Sequence, residues 1–214
     1  MKTYRLIFVL LLFPFFTGCI EIVEKITVHS NKSGKASYSL NTNQRGFFLN
    51  NLAGFFDNSL QDEVILEAKK FANQLKNQPG ISNVHINTDL ATNNFELSFE
   101  FDNSKNLNNA LYKMSGNKKT MFSPGYLKIK RHRLKKFNFS PWVKPYLERE
   151  NIEIPDMYIT SMITFSSIIE LPEEIISYNP SSIKISHDSK IVKNSYSLQN
   201  IIEGKVNTGI RIKY

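Results

Sequence analysis

Residues 20–40, IEIVEKITVHSNKSGKASYSL, contain two runs of alternating apolar and polar residues with a turn between them. The apolar side chains of the first run recur at every second position: Ile20, Ile22, Ile26 and Val28. Residues 31–34, Asn-Lys-Ser-Gly, have turn composition, and the alternation resumes after them. A period of two is typical of a strand with one buried face, so this stretch predicts a β-hairpin whose apolar face is buried.

The stretch before the hairpin has the composition of a signal peptide. Residues 6–19 read LIFVLLLFPFFTGC, and two cations, Lys2 and Arg5, precede them. A positive start, a short apolar run and small residues at its end are the three parts of such a signal. The apolar run is shorter than the roughly 20 residues that a membrane-spanning helix needs. We therefore expect residues 1–18 to be a signal peptide and residues 19–214 to form a single domain.

The four residues Phe16-Thr17-Gly18-Cys19 resemble the lipobox of bacterial lipoproteins. This resemblance implies that the thiol of Cys19 is acylated and anchors the chain to a membrane, in the cell envelope and outside the cytoplasm. In some Gram-negative bacteria, an Asp directly after the cysteine resembles a signal for retention in the inner membrane. Here Ile20 occupies that position, so the outer membrane is the expected location in a Gram-negative cell. A buried free thiol at Cys19 is the alternative interpretation.

Three elements are predicted after the first hairpin. Helical spacing of apolar residues predicts a helix over about 58–78, ended by Pro79-Gly80, and a shorter helix over about 104–115 with Ser104 as a cap. Alternation of Phe95, Leu97, Phe99 and Phe101 predicts a second hairpin between the two helices.

The C-terminal half is predicted to be mostly sheet. Residues 158–171 form a long β-rich run, short strands are expected near 183–192, and residues 206–214 alternate as a final strand. The predicted fold class is α+β, a largely antiparallel β-sheet with two main helices packed on one face.

Positive charge is concentrated in one segment of a chain whose formal net charge is +8. Residues 118–149 hold ten Lys or Arg residues and one acid. The densest part contains six cations: Lys128, Lys130, Arg131, Arg133, Lys135 and Lys136. In one continuous strand, Lys128 and Lys130 would lie on one face and Arg131 and Arg133 on the other.

Two interpretations of this segment remain open. Clustered cations suit anionic lipid headgroups, to which each contributes about 1 kcal/mol near a membrane surface. They also suit a solvated edge strand, where Lys and Arg discourage pairing with other sheets. Nucleic acid is not expected as a partner, because a lipid anchor would hold the chain in the envelope.

A set of aromatic residues is the second candidate site. It comprises Phe47, Phe48, Phe55 and Phe56, together with Trp142, the only tryptophan. These rings either fill a gap between sheet and helices or contact an apolar ligand or the membrane.

No motif in the sequence indicates catalysis. His187-Asp188-Ser189 are consecutive residues and cannot hold the geometry of a catalytic triad. The remaining histidines have no partner at a metal-ligand spacing, and the sequence has no P-loop, GxGxxG or GxSxG. We therefore expect no enzyme activity, no cofactor and no metal. The expected classes are a protein that binds lipid or another apolar ligand, and a structural or assembly partner of envelope proteins.

The chain also resembles the LppM-type bacterial lipoproteins. Cys19 is followed at once by a charged and apolar strand and a turn that ends at Gly34, and residues 163–179, ITFSSIIELPEEIISYN, resemble that family's strand-Pro-Asn element. The resemblance implies a sheet with helices packed on it and interactions with lipid or the envelope rather than catalysis. Members often carry a C-terminal transmembrane helix, which the sequence up to Tyr214 does not contain.

Overall fold

A computed structural model describes residues 20–42, 66, 69–89, 94–114, 125–149, 157–180 and 183–214. Cys19, the signal peptide and the aromatic residues Phe47, Phe48, Phe55 and Phe56 lie outside the described residues. The predicted lipidation and the role of these rings therefore stay predictions, as does the single domain over 19–214.

Within the described residues, the larger of two sheets has seven strands: β1 (Ile20–Val28), β2 (Gly34–Thr42), β3 (Ile81–Asp89), β4 (Asn94–Phe101), β7 (Ile163–Glu170), β9 (Lys184–Ile185) and β10 (Ile191–Ser197). Their order across the sheet is β3-β4-β2-β1-β7-β10-β9. β1 and β2 form the predicted hairpin, and β3 and β4 form the second one. β1 also pairs with β7, and this pairing is parallel, whereas the other strand pairs of this sheet are antiparallel.

The four described strands of a smaller antiparallel sheet are β5 (Leu127–Lys130), β6 (Arg133–Lys136), β8 (Ser177–Asn179) and β11 (Ile210–Lys213). Their order across the sheet is β5-β6-β11-β8. Alternate residues of β5 and β11 are buried and exposed. The buried residues of the two sheets belong to one hydrophobic cluster, in which Ile26 and Ile169 of the larger sheet join Leu134 and Ile212 of the smaller.

The described helical segments are α1 (69–76), α2 (Ser104–Met114), α3 (Ser140–Arg149), α4 (Met157–Met162) and α5 (Leu198–Ile202). The α+β class is confirmed, but the packing of two main helices on one face of the sheet is not. α2 contacts β3 and β4 of the larger sheet and also β5 of the smaller one. The inner residues of the smaller sheet take part of the core that the prediction assigned to helices.

Two predicted strands are shorter than expected. The run at 158–171 begins as helix α4 and becomes strand β7 only at Ile163, and the final strand begins at Ile210 rather than at 206. Thr208 is instead buried in a loop, where its hydroxyl donates to Oδ1 of Asn138 at 2.9 Å. Within the described ranges, no helix has the length and apolar character needed to cross a membrane.

Candidate functional site: a basic sheet face

The basic segment folds as a hairpin rather than as one strand. Lys130 lies directly opposite Arg133, so Arg131 and His132 form the two-residue connection between β5 and β6. The prediction that Lys128 and Arg133 lie on opposite faces is therefore wrong. A two-residue turn reverses the chain, and directly opposed residues of an antiparallel pair lie on the same face. Lys128 and Lys130 consequently share a face with Arg133 and Lys135.

The C-terminal strand extends this face with two further cations. In β11, Arg211 lies opposite Lys135 and Lys213 lies opposite Arg133. The side chains of β11 alternate, so Ile210 and Ile212 are buried while Arg211 and Lys213 are exposed. We call these six residues the basic face: Lys128, Lys130, Arg133, Lys135, Arg211 and Lys213.

Sequence reasoning missed Arg211 and Lys213 because they lie far along the chain from the basic segment. The signal that could have found them is the alternation of residues 210–213, which places both cations on the outer side of a strand. Nothing in the sequence shows that this strand pairs with β6.

The basic face forms a shallow hollow on the surface. The hollow has a volume of about 540 Å³, and its lining includes Ser177 and Asn179 of β8 together with the six cations. Within the described part of the chain, none of the six forms an ion pair with a carboxylate. Lys135 makes a ring contact, in which its Nζ lies 4.1 Å from the centre of the Phe137 ring. This arrangement leaves the charges available to an anionic partner.

Arg131 and Lys136, two of the six predicted contact residues, lie elsewhere. Arg131 is exposed at the tip of the hairpin, beside His132, whose Nδ1 lies 3.4 Å from Oε2 of Glu173. Lys136 points inward and is 1 % exposed. Its ammonium group contacts the carboxylate of Glu24 and donates to Oγ of Ser167 at 2.9 Å.

Aromatic rings surround this buried ion pair. The Nζ atom of Lys136 lies 5.2 to 5.7 Å from the centres of three rings, those of Phe139, Phe165 and Tyr126. The hydroxyl of Tyr38 donates to that of Tyr126 at 3.3 Å. Burial, and then the negative charge of Glu24, raise the pKa of Tyr38 well above its usual value. The two charged groups are buried, whereas the four rings around them are partly exposed. The ion pair therefore joins the two sheets.

The sequence analysis also missed Glu24 as a buried partner of a cation, although the residue pattern of β1 indicates it. It occupies an even position of β1, between Ile22 and Ile26, where the pattern calls for an apolar side chain. A charge in a buried stripe indicates an internal partner.

Helix α2 covers the free edge of β5. Oδ1 of Asn108 accepts hydrogen bonds from the backbone N–H groups of Tyr126 and Leu127, and its Nδ2 donates to the carbonyl of Leu127. The hydroxyl of Ser104, one turn earlier, accepts from the N–H of Ile129 at 3.3 Å. The prediction that Ser104 caps this helix is wrong, because its hydroxyl contacts the edge of β5 instead. The residue that caps the helix is Asn103, whose Oδ1 accepts from the backbone N–H of Asn106. β5 is an edge strand of the smaller sheet, as the edge-strand interpretation of Lys128 and Lys130 expects, and side chains of α2 bond part of this edge.

Trp142 lies on the exposed side of α3, with 58 % of its surface accessible. Tyr146, one turn later, is 40 % exposed, and the guanidinium of Arg149 lies 5.3 Å from the centre of its ring. The structure does not bring Trp142 to the basic face, which lies on other elements.

The described residues contain no group of three or more His, Cys, Asp or Glu side chains that could hold a metal ion. Asp188 caps a tight turn, where its carboxylate accepts from the hydroxyl of Ser186 and from the backbone N–H of Lys190. These hydrogen bonds lower the pKa of Asp188, so it carries its charge within the turn.

Comparison with known proteins gives a distant structural likeness. No protein-family model and no curated protein matches the chain. Among solved structures, the folded domain of the Mycobacterium tuberculosis LppM protein matches with a TM-score of 0.41 and 8 % sequence identity, over 92 % of this chain and 90 % of that one. The resemblance to LppM-type lipoproteins is thus found as a distant structural likeness, from which nothing about function follows.

Proposed function

We propose that the chain is a non-enzymatic, lipid-anchored protein of the bacterial cell envelope that binds anionic lipid headgroups through the basic face. The observation that carries this proposal is the collection of six cations, from three strands and two distant parts of the sequence, on one exposed face. No carboxylate within the described residues neutralises them.

The attraction expected between the basic face and anionic headgroups amounts to a few kcal/mol. Each Lys or Arg near an anionic surface contributes about 1 kcal/mol, so half of the face in contact with headgroups would contribute about 3 kcal/mol. Exposed charges are screened over about 8 Å at physiological ionic strength, so binding should weaken as salt rises.

An anchor at Cys19 would make this modest attraction effective. Once a lipid holds the chain at the membrane, the contact between face and headgroups becomes intramolecular, and a weak interaction is then well populated. Exchange of Cys19 for Ser in the full chain should release it from membranes washed with carbonate. Retention of the Ser variant in the membrane would contradict anchoring by this residue.

The binding test uses residues 20–214, which contain all of the described elements, with circular dichroism as a check on sheet content. Sedimentation with vesicles should show binding when phosphatidylglycerol is present and little binding to phosphatidylcholine alone. The bound fraction should fall from low to moderate salt. Equal binding to both kinds of vesicle would contradict the proposal.

A second candidate function is that of an assembly partner for another envelope protein. The exposed pair Trp142 and Tyr146, on adjacent turns of α3, favours it, because aromatic side chains are enriched in protein interfaces. A photoreactive side chain at position 142 would test this in cells. Cross-links to a protein would support this function, whereas cross-links to lipid alone would contradict it.

A further inference from the structure

The six cations of the basic face form two parallel rows across the sheet. The first row is Lys128, Lys135 and Arg211, which are opposed in register across β5, β6 and β11. The second row is Lys130, Arg133 and Lys213, with the same register. Each row therefore has three positive charges, one of them an Arg.

Each row ends in a neutral polar residue of β8. Asn179 lies opposite Arg211, and Ser177 lies opposite Lys213. Both residues line the same hollow as the cations. The charged zone is therefore three strands wide, and β8 adds hydrogen-bonding groups at one side of it.

The spacing of the rows is set by the backbone. Neighbouring strands lie about 4.8 Å apart, so three long side chains of one row can converge on one small anion above β6. The centres of the rows, Lys135 and Arg133, are two residues apart in β6, and two residues of an extended strand span about 7 Å. The face therefore offers two anion positions with that separation.

The strands that carry the rows are held by an ion pair in the core and by hydrogen bonds from helix α2. Lys136 pairs with Glu24 inside the core, next to Lys135, and Asn108 of α2 fixes the outer edge of β5. A fixed backbone lowers the entropic cost of binding a ligand that needs both rows at once.

We propose that the basic face recognises a ligand with two phosphate groups joined by a short linker, one phosphate per row, as in a lipid headgroup of two phosphates bridged by glycerol. This inference rests on the proposed function and names its ligand class. A headgroup with one phosphate can occupy only one row at a time. Attachment through the first phosphate makes binding of the second to the other row intramolecular, which raises the overall affinity above that of a single phosphate.

The test uses the full chain in non-ionic detergent micelles doped with diphosphatidylglycerol or with phosphatidylglycerol, at equal total phosphate. A parallel titration uses soluble glycerol bisphosphate and glycerol monophosphate, followed by calorimetry, and separates the headgroup from the acyl chains. We expect the bisphosphate form to bind at least about tenfold more tightly in both arms.

Two variants assign the rows. Lys135→Gln and Arg133→Gln each remove the centre of one row, and both side chains lie on the outer face, away from the core. Each variant should lower the affinity for glycerol bisphosphate to about that for glycerol monophosphate. It should change binding of the soluble monophosphate little, because the other row remains. The control Lys184→Gln with Lys190→Gln removes two exposed cations outside the face and should change neither affinity.

The outcomes separate the two proposals. Equal affinities for the two kinds of headgroup, both lowered by the row variants, would overturn the two-phosphate ligand and leave the headgroup-binding function intact. Binding of neither headgroup would overturn both. Tight bisphosphate binding that the row variants leave unchanged would place the site elsewhere and overturn this inference.

Discussion

The ammonium group of Lys136 contacts the carboxylate of Glu24 across the interface between the four-stranded and the seven-stranded sheet. Each of the two residues is 1 % exposed. A buried ion pair adds little net stability compared with apolar residues of similar size, but the loss of one partner leaves an uncompensated charge. The pair therefore requires β6 to meet β1 at this register, with Lys135 directed outward beside it.

Exchange of Lys136 for Met should lower the free energy of unfolding by about 3 to 5 kcal/mol, because Glu24 is then buried without a counter-charge. The double variant Lys136→Met with Glu24→Leu should recover most of this loss. Urea denaturation of the three proteins measures both effects.

The matched control is Lys25→Met in the same strand as Glu24. Nζ of Lys25 lies 3.2 Å from Oε2 of Glu170 in an exposed ion pair, so its loss should cost less than about 1 kcal/mol. A Lys136→Met variant as stable as this control would show that the buried pair does not form.

Exchange of Asn108 for Ala should destabilise the protein by about 1 to 3 kcal/mol, because backbone groups of Tyr126 and Leu127 lose their partners. It should also expose the edge of β5 to pairing with a second molecule. Thermal unfolding and light scattering measure the two effects.

The control for this edge is Lys105→Ala, an exposed position of the same helix, with an expected change below about 0.5 kcal/mol. If Asn108→Ala has the stability and the monomeric state of this control, the contact between α2 and β5 is not important.

Stability should fall at alkaline pH because of Tyr38. Its pKa is raised in the folded protein by burial and by Glu24, while the unfolded chain has the usual value of about 10. Above pH 10 the unfolded state loses this proton first, so the free energy of unfolding decreases by about 1.4 kcal/mol per pH unit until the folded pKa is reached. Below pH 10 this group causes no change.

Tyr38→Phe should flatten this decrease, measured as urea unfolding between neutral and strongly alkaline pH. The comparison uses slopes, because the variant also loses the hydrogen bond to Tyr126. Tyr214, whose pKa is raised by burial and by Glu173, accounts for part of the remaining slope. An unchanged slope in Tyr38→Phe would contradict the assignment, and Tyr146→Phe on the surface is the matched control.

Replacement of Arg211 and Lys213 by Gln should weaken binding to phosphatidylglycerol vesicles as much as replacement of Lys128 and Lys130. Two charges at about 1 kcal/mol each correspond to about a thirtyfold loss of affinity. Vesicle sedimentation at low salt measures it, with the Lys184→Gln and Lys190→Gln pair as control. Full binding by the Arg211 and Lys213 variant would show that β11 does not belong to the binding face.

The sequence by itself determined the elements whose pattern is local. The β1–β2 hairpin, the β3–β4 hairpin and helix α2 are present as the periods of two and 3.6 predict. These patterns can be recognised because one face of each element is buried, so that apolar residues recur along the chain with the period of a helix or a strand. The lipidation expected at Cys19 is likewise a prediction from the sequence alone.

Only the tertiary structure decided which residues form the basic face. The turn at Arg131 and His132 reversed the direction of the chain, and pairing of β11 with β6 brought Arg211 and Lys213 next to Arg133 and Lys135. Strand pairing between distant segments depends on backbone hydrogen bonds that any residue can form, so the local pattern does not encode the partner.

Lys135 and Lys136 also have environments that only the tertiary structure decided. The two side chains are chemically identical and adjacent in sequence, and alternation along β6 sends them to opposite faces. One face meets solvent and the other meets Glu24 of a strand more than one hundred residues away. Charge is a property of the sequence, but the partner that neutralises it, or its absence, is set by the fold.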